Sequence, residues 1–213
     1  MPITVFLAED HAVLREGLVG LLAAQPDFRV LGTAAEGRDA VRQAVHLQPE
    51  VVILDIAMPQ MNGIEAAREI RARAPQAKVI MLSMHSSAEH VFHAFEAGAL
   101  AYVLKESAAK DIIGAVRAVH LGRRYLSPAL NETMAEVLSQ GATDSPLSRL
   151  SGRERQVLQL VAEGRSSAQI AALVHLSPKS VDTYRSRVMQ KLHIGDVAGL
   201  VKFAIQHGVT SLD

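Results

Sequence analysis

The chain has 213 residues, of which 49% are hydrophobic, and its formal net charge at pH 7 is zero. This length suits one large or two small domains with buried cores. The absence of cysteine excludes a disulfide framework and thiolate metal sites. No apolar run approaches the roughly 18 residues of a membrane span, and no basic segment precedes the apolar N-terminus, so we expect a cytoplasmic protein with no membrane partner.

The first 121 residues alternate between short apolar runs and amphipathic stretches of helical period. Such alternation predicts parallel strands joined by right-handed helical crossovers, which gives an α/β fold with a doubly wound, five-stranded parallel sheet covered by helices on both faces. The five expected strands are Ile3–Ala8, Arg29–Ala34, Val51–Asp55, Lys78–Ser83 and Leu100–Leu104.

The strand ends carry polar groups. In an open parallel sheet, the site lies outside the carboxyl ends of the strands, where the strand order reverses. Four of the five expected ends carry residues able to bind a phosphoryl group or a cation, and these are Glu9 with Asp10, then Asp55, Ser83 and Lys105. Each of these residues by itself could have a structural role, such as a helix cap or a solvated surface charge. Their joint placement at the strand ends favours a functional site.

The three carboxylates Glu9, Asp10 and Asp55 must share protons or hold a cation. Oxygen ligands without Cys or His suit Mg²⁺. An aspartate can also take a phosphoryl group as an acyl phosphate. Lys105 would then supply a second positive charge, and Ser83 would donate its hydroxyl to a phosphoryl oxygen. The pattern therefore predicts a phosphoryl-acceptor site.

The second part of the chain differs in charge and period. Residues 1–143 carry 13 Lys and Arg against 16 Asp and Glu, whereas residues 144–213 carry nine against six. A helix is expected from Pro128 to Leu138, then a linker rich in Ser, Gly and Pro (Gln140–Ser148). Ser151 and Glu154 form a capping-box pattern, and two helices, Ser167–Val174 and Ser177–Leu192, follow with a tight turn between them. This arrangement predicts a small all-α helix-turn-helix domain.

Several motifs identify the family that the chain resembles. AEDH, VVILDIAMPQMNGIE, MLSMHS and AYVLKES match, in order and spacing, two-component response-regulator receiver domains, and the part from LSGRERQVLQLVAEG onward resembles the LuxR-type helix-turn-helix. The chain resembles a NarL/FixJ-type response regulator over nearly its whole length. The resemblance implies a flavodoxin-like receiver at 1–121, a linker with a helix at 122–148, and a DNA-binding domain at 149–213.

The resemblance also implies roles for single residues of the receiver. Asp55 would be the phosphoacceptor, supplied by a sensor histidine kinase. Asp10, Asp55 and the backbone carbonyl of Ala57 would bind Mg²⁺, with Glu9 acting through water. Ser83 and Lys105 would contact the phosphoryl group. Tyr102 would be the aromatic residue whose side-chain rotamer follows the state of Ser83. Phosphorylation would then shift an existing equilibrium between two forms.

For the helix at Ser177–Leu192 we expect insertion into a DNA groove. Base edges would be read from the outward face near its start, and phosphates contacted by its basic side chains. Asp182 would accept from cytosine N4 or repel phosphate. We expect promoter DNA as partner and a homodimer on activation or DNA binding. The candidate DNA-contacting residues are Lys179, Ser180, Asp182, Thr183, Tyr184, Ser186, Arg187 and Lys191, with Arg185 as a further phosphate contact.

Three other functions compete with a phosphorylation-switched transcription regulator. A DNA-binding protein whose receiver no longer takes phosphate would not need the intact set of site residues. An aspartyl phosphatase would need a second acid two residues after its nucleophile, where this chain has Ala57. A flavin-binding sheet would need a phosphate loop after Ile3–Ala8, and none follows. We therefore expect a regulator, not a turnover enzyme.

Overall fold

A computed structural model describes residues 1–131 and 145–210 of the chain. The chain divides into two compact units, Met1–Thr143 and Asp144–Asp213. Within the described ranges, no helix is both long and apolar enough to cross a membrane. The first unit holds the sheet, and the second is helical.

The sheet of the first unit has six parallel strands in the order β2-β1-β3-β4-β5-β6. The prediction of five strands was therefore one short. The sixth strand has only two residues, too few to show a periodic pattern in the sequence. The strands are β1 (Ile3–Ala8), β2 (Phe28–Ala34), β3 (Val51–Asp55), β4 (Lys78–Ser83), β5 (Ala101–Leu104) and β6 (Tyr125–Leu126).

Within the part of the first unit that the structure describes, five helices cover the two faces of this sheet, which confirms the doubly wound architecture. Alternate residues of a strand point to opposite faces, so Val5 and Leu7 pack with α1 and α5, whereas Phe6 and Ala8 pack with α2, α3 and α4. Burial on both faces explains why the strands read as continuous apolar runs. The helices are α1 (Ala12–Ala23), α2 (Gly37–Leu47), α3 (Gly63–Arg73), α4 (Ala88–Glu96) and α5 (Ala108–His120).

Residues just beyond 121 extend the first unit. β6 pairs with β5, and the 3₁₀ turn Pro128–Leu130 buries Leu130 completely in the core shared with α2, α3 and α4. The expected helix at Pro128–Leu138 begins as this turn, and its remainder lies outside the described residues. The same is true of the linker residues 140–144, whereas Pro146–Arg149 forms a turn whose Leu147 packs in the second unit.

Over residues 145–210, the second unit consists of four α-helices around one core. They are α6 (Gly152–Ala162), α7 (Ser167–Val174), α8 (Pro178–Leu192) and α9 (Val197–Gln206). The predicted capping box at Ser151 and Glu154 is present, and Ser177 caps α8 as expected. Val157, Val181 and Leu200 are buried in the shared core, which fixes α8 with its polar side outward.

Gly63 lies where α3 approaches the end of β3. A Cβ atom at Gly63 would lie 2.1 Å from the carbonyl oxygen of Asp55. Gly63→Ala is expected to lower the free energy of unfolding by at least about 2 kcal/mol, because backbone must shift to relieve the contact. Urea denaturation measures this change.

Gly17→Ala is the matched control, because a Cβ there meets nothing within 4 Å on the exposed side of α1. It should raise stability by about 0.5–1 kcal/mol. Equal stability of Gly63→Ala and wild type would contradict the close approach.

Candidate functional site

Four adjacent strands bring the predicted site residues together at one edge of the sheet. Glu9 and Asp10 follow β1, Asp55 ends β3, Ser83 ends β4 and Lys105 follows β5. Glu9, Asp55 and Ser83 are at most 1% exposed. The strand order reverses between β1 and β3, and the cluster lies there. This is the topological switch point, where sites are expected in this fold.

The ammonium group of Lys105 joins two of these strands. Its Nζ lies 2.8 Å from Glu9 Oε1 and 2.9 Å from Asp55 Oδ2. Burial alone would lower the pKa of Lys105, but the neighbouring Asp55 and Glu9 carboxylates raise it above its ordinary value. Lys105 is therefore charged and held pointing at the Asp55 carboxylate.

The negative charge of the cluster exceeds what Lys105 neutralises. Burial and the nearby Glu9 charge raise the pKa of Asp55 to about 7, although Lys105 acts in the opposite direction. Partial burial also works to raise the pKa of Asp10, but hydrogen bonding to Asp55 and the charge of His11 outweigh it, and that pKa is lowered. Asp55 is therefore the carboxylate that takes a proton when no further cation is present.

The donor set fits a hard divalent cation. Ligand atoms of Glu9, Asp10, His11 and Asp55 all lie within 4.8 Å of one another. The backbone N–H of Ala57 donates to Asp55 Oδ1 at 3.2 Å, which places Ala57 beside the same carboxylate. Clustered carboxylate oxygens with excess negative charge are the environment that Mg²⁺ prefers.

Sequence reasoning missed His11. Its Nδ1 lies 2.7 Å from Asp10 Oδ1 and 3.1 Å from Glu9 Oε1, and the Asp10 charge raises the pKa of His11. Its position directly after the paired acids was the available signal. His11 is a partial counter-charge to the acid pair at the mouth of the site.

Ser83 and Tyr102 are connected through the loop after β4. The backbone N–H of His85 donates to Ser83 Oγ at 3.0 Å, and the Tyr102 hydroxyl donates to the His85 carbonyl at 2.7 Å. Tyr102 is fully buried, which raises the pKa of its hydroxyl well above the usual range and keeps it neutral. A change at Ser83 can thus reach Tyr102 through one residue.

A second polar cluster, also missed, supports the turn that carries Lys105. Buried Asp111 accepts hydrogen bonds from Ser107 Oγ and Ser127 Oγ, both at 2.6 Å. Ser127 Oγ in turn accepts from the backbone N–H of Leu104 at 3.2 Å. These contacts tie the end of β5 to the start of α5 and to the residue after β6.

Several polar residues of α8 are exposed, as the groove-insertion prediction requires. Lys179, Thr183, Ser186 and Arg187 face solvent. The guanidinium of Arg187 lies 5.8 Å from the Tyr184 ring centroid, and Tyr184 packs partly against the core. This side of α8 offers two cations and the Ser186 hydroxyl to a partner.

Some of the predicted DNA-contacting residues, including the exposed Thr183, make hydrogen bonds or ion pairs within the second unit. Ser180 Oγ lies 2.9 Å from Ser177 Oγ in the α8 cap, and Thr183 Oγ1 donates to the Lys179 carbonyl at 2.9 Å. Asp182 is bound by Ser167 and Arg185. The tertiary structure thus uses part of the polar surface that the sequence offers to DNA.

Lys191 supports the first helix of the second unit. Its Nζ donates to Glu154 Oε2 at 2.7 Å and to the Arg149 carbonyl at 3.1 Å. Burial works to raise the pKa of Glu154, but hydrogen bonds from Lys191 and Ser151 lower it below its usual value. The Lys191 charge therefore stabilises a buried carboxylate inside the capping box of α6.

The chain matches two protein-family descriptions. Residues 5–117 match the response regulator receiver domain, and residues 148–204 match the bacterial regulatory proteins of the luxR family. The response regulator protein VraR of Staphylococcus epidermidis is 34% identical over 209 residues, covering 98% of this chain and 99% of VraR.

Two solved structures are also similar to this chain. A LuxR-family two-component response regulator from Aurantimonas shares 33% identity, with a TM-score of 0.62, and covers 65% of this chain and 99% of its own. The response regulator ChrA of a heme-sensing two-component system shares 29% identity, with a TM-score of 0.52, and covers 98% of each chain.

The raised pKa of Asp55 makes stability depend on pH. Between about pH 4 and 7 the folded protein holds a proton at Asp55 that the unfolded chain has released, so the free energy of unfolding falls as pH rises through this window. Asp55→Asn removes this dependence. Without divalent cations at pH 8, it should be more stable than wild type by a few kcal/mol, on the order set by the pKa shift.

Urea denaturation between pH 4.5 and 8 measures the difference between the two proteins. Glu16→Gln, a change at an exposed acid of α1 away from the cluster, is the control. A stability gain in Asp55→Asn that is the same at every pH would contradict the raised pKa.

Loss of the Lys191 ammonium should leave Glu154 without its ionic partner. Lys191→Met is expected to destabilise the second unit by about 1–2 kcal/mol, because Glu154 is nearly buried while Lys191 is partly solvated. Thermal unfolding monitored by circular dichroism measures this loss. Lys202→Met, which removes an exposed cation of α9, is the control, and an equal effect of both changes would contradict the assignment.

Proposed function

Because this chain belongs to the LuxR-type response regulators, with a receiver domain followed by a DNA-binding domain, we propose that phosphorylation of Asp55 switches its binding to promoter DNA. The family consists of DNA-binding transcription regulators, so the phosphatase alternative is excluded. The observation that carries the proposal is the buried Asp55 carboxylate at the switch point, 2.9 Å from Lys105 and beside two further acids.

The phosphoryl donor in this proposal is a phosphohistidine of a sensor histidine kinase. An Asp55 oxygen attacks phosphorus, the O–P bond of an acyl phosphate forms, and the N–P bond to the imidazole breaks. The imidazole leaves with the bonding electron pair and takes a proton from solvent. Lys105, already directed at Asp55, lies where negative charge collects on the phosphoryl oxygens.

Glu9, Asp10, Asp55 and the backbone carbonyl of Ala57 would hold Mg²⁺. The ion would neutralise charge on the phosphoryl oxygens. The carboxylate cluster favours this assignment, since the Lys105 ammonium group and the partial counter-charge of His11 do not balance three acids. An added cation also favours the ionised form of Asp55, which is the nucleophile.

A groove beside the site suits a protein donor. It has a volume of about 850 Å³ and is lined by Lys105 and by apolar side chains that include Val13, Leu14 and Leu18. Val13 and Met84 are exposed large hydrophobic residues at this groove. We assign it to the sensor kinase, because Lys105 lines the groove and contacts Asp55, so that a kinase bound there would bring its phosphohistidine to Asp55.

The switch in this proposal begins at Ser83. A phosphoryl group on Asp55 offers new acceptors for the Ser83 hydroxyl and for Lys105. Rotation of Ser83 towards them would break the bond that it accepts from His85, whose carbonyl holds Tyr102. The loop after β4 and Tyr102 would then respond together.

We assign 1–121 to the receiver, 122–148 to a linker whose first residues, through Leu130, pack in the first unit and whose Leu147 packs in the second, and 149–213 to the DNA-binding domain. The exposed residues of α8 that we propose contact DNA are Lys179, Thr183, Ser186 and Arg187.

Two copies of the chain would bind two half-sites, since one such domain buries little surface. Val197, exposed on α9, is available to the second copy. A cytoplasmic location accords with binding to promoter DNA.

The proposal predicts that a phosphoryl mimic changes DNA binding only when Asp55 is present. Beryllofluoride with Mg²⁺ should tighten binding of the wild type to its promoter DNA at least tenfold and raise its mass to that of a dimer. Asp55→Asn should show neither change, because the mimic needs the carboxylate oxygen. Fluorescence anisotropy and light scattering measure the two effects.

Asp27→Asn is the matched control, since Asp27 is exposed, bound to Arg117, and precedes β2 at the opposite end of that strand from the site. It should respond as the wild type does. Tight DNA binding by wild type and Asp55→Asn alike, with no response to the mimic, would show that the receiver does not control DNA binding.

A further inference from the structure

Asp182 is an acidic residue on an otherwise basic exposed surface. It lies in the second turn of α8, the helix proposed to enter the groove, and its side chain is 51% exposed. The N-terminal residues of a recognition helix contact base edges. DNA phosphates would repel an isolated carboxylate there. Whether Asp182 can approach a base therefore depends on the charges and hydrogen-bond donors around it.

Two neighbours hold the Asp182 carboxylate in place. Ser167 Oγ, in the first turn of α7, donates to Asp182 Oδ1 at 2.7 Å, and Arg185 lies 3.0 Å from the same oxygen. Arg185 also donates to Ser167 Oγ at 3.4 Å, which closes a three-membered cluster. The guanidinium compensates the negative charge, and the hydroxyl fixes the side-chain conformation.

The second carboxylate oxygen, Oδ2, remains open. Within the described residues, both contacts recorded for the Asp182 side chain involve Oδ1. The nearby hydroxyls are already engaged, because Thr183 donates to the Lys179 carbonyl and Ser180 lies in the α8 cap. Asp182 Oδ2 is thus a fixed, charge-compensated acceptor on the exposed side of α8.

We propose that Asp182, positioned by Ser167 and Arg185, selects cytosine at one position of each DNA half-site. This inference rests on the proposed DNA-binding function. In the major groove, guanine and thymine present acceptors that oppose a carboxylate. Adenine presents a donor beside the N7 acceptor, and cytosine presents the N4 amino donor alone. A group that can only accept a hydrogen bond is therefore best matched by cytosine.

The test is binding-site selection from duplexes with randomised half-sites, using the full-length protein with Mg²⁺ and beryllofluoride. The wild type should favour cytosine over each other base at one position by roughly tenfold. Asp182→Asn should lose this preference and favour adenine, because an amide both donates and accepts. Ser167→Ala keeps the carboxylate and should reduce the cytosine preference to about threefold.

Lys179→Met separates this inference from DNA binding in general. Lys179 is exposed and lies on the same helix, so its loss should weaken binding to all duplexes alike and leave the selected bases unchanged. Selection of the same bases by wild type and Asp182→Asn would overturn the role of Asp182 while leaving the DNA-binding function intact. A wild type that binds no duplex would overturn both.

Discussion

The contact of one buried ammonium group with two buried carboxylates determines how the receiver site works. Lys105 joins the ends of β1, β3 and β5 through Glu9 and Asp55, and it leaves the negative charge of the cluster only partly balanced. Burial, together with the nearby Glu9 charge, raises the pKa of Asp55, and the excess negative charge favours further positive charge at the site. The cation binding and the reactive aspartate that we propose therefore rest on the same arrangement, and Asp111 with Ser127 holds the turn that positions Lys105.

In the second unit, some charged residues support the fold, and others stay exposed for the contact with DNA that we propose. Lys191 neutralises a buried glutamate, and Arg185 compensates Asp182, whereas Lys179 and Arg187 stay exposed. The same residue types thus serve two purposes on one helix. The number of Lys and Arg residues in a helix sequence is an upper limit on the cations that the helix can present to DNA. Contacts with neighbouring elements reduce that number.

The sequence was informative wherever a residue is tied to a repeating pattern. Both faces of the sheet are covered, so each strand is a continuous apolar run, and its end is marked by the first polar residue. This is why Asp55 and Ser83 were located correctly at strand ends. Helix starts could also be predicted from the sequence, because Ser151 and Ser177 cap helices through local hydrogen bonds. The two-residue strand β6 carried no such pattern, and its pairing with β5 depends on a long-range contact.

The amino-acid sequence by itself therefore determined the alternation of strands and helices, the edge of the sheet where the acids collect, and the presence of a helix-turn-helix. These follow from local periodicity and from the general rule for parallel sheets. Only the tertiary structure decided which charges meet. The pairing of Lys105 with Glu9 across 96 positions, of Lys191 with Glu154, and of Asp182 with Ser167 depends on distances between separate elements of the fold. No local pattern encodes such distances, and they set the protonation and the exposure on which the proposed chemistry rests.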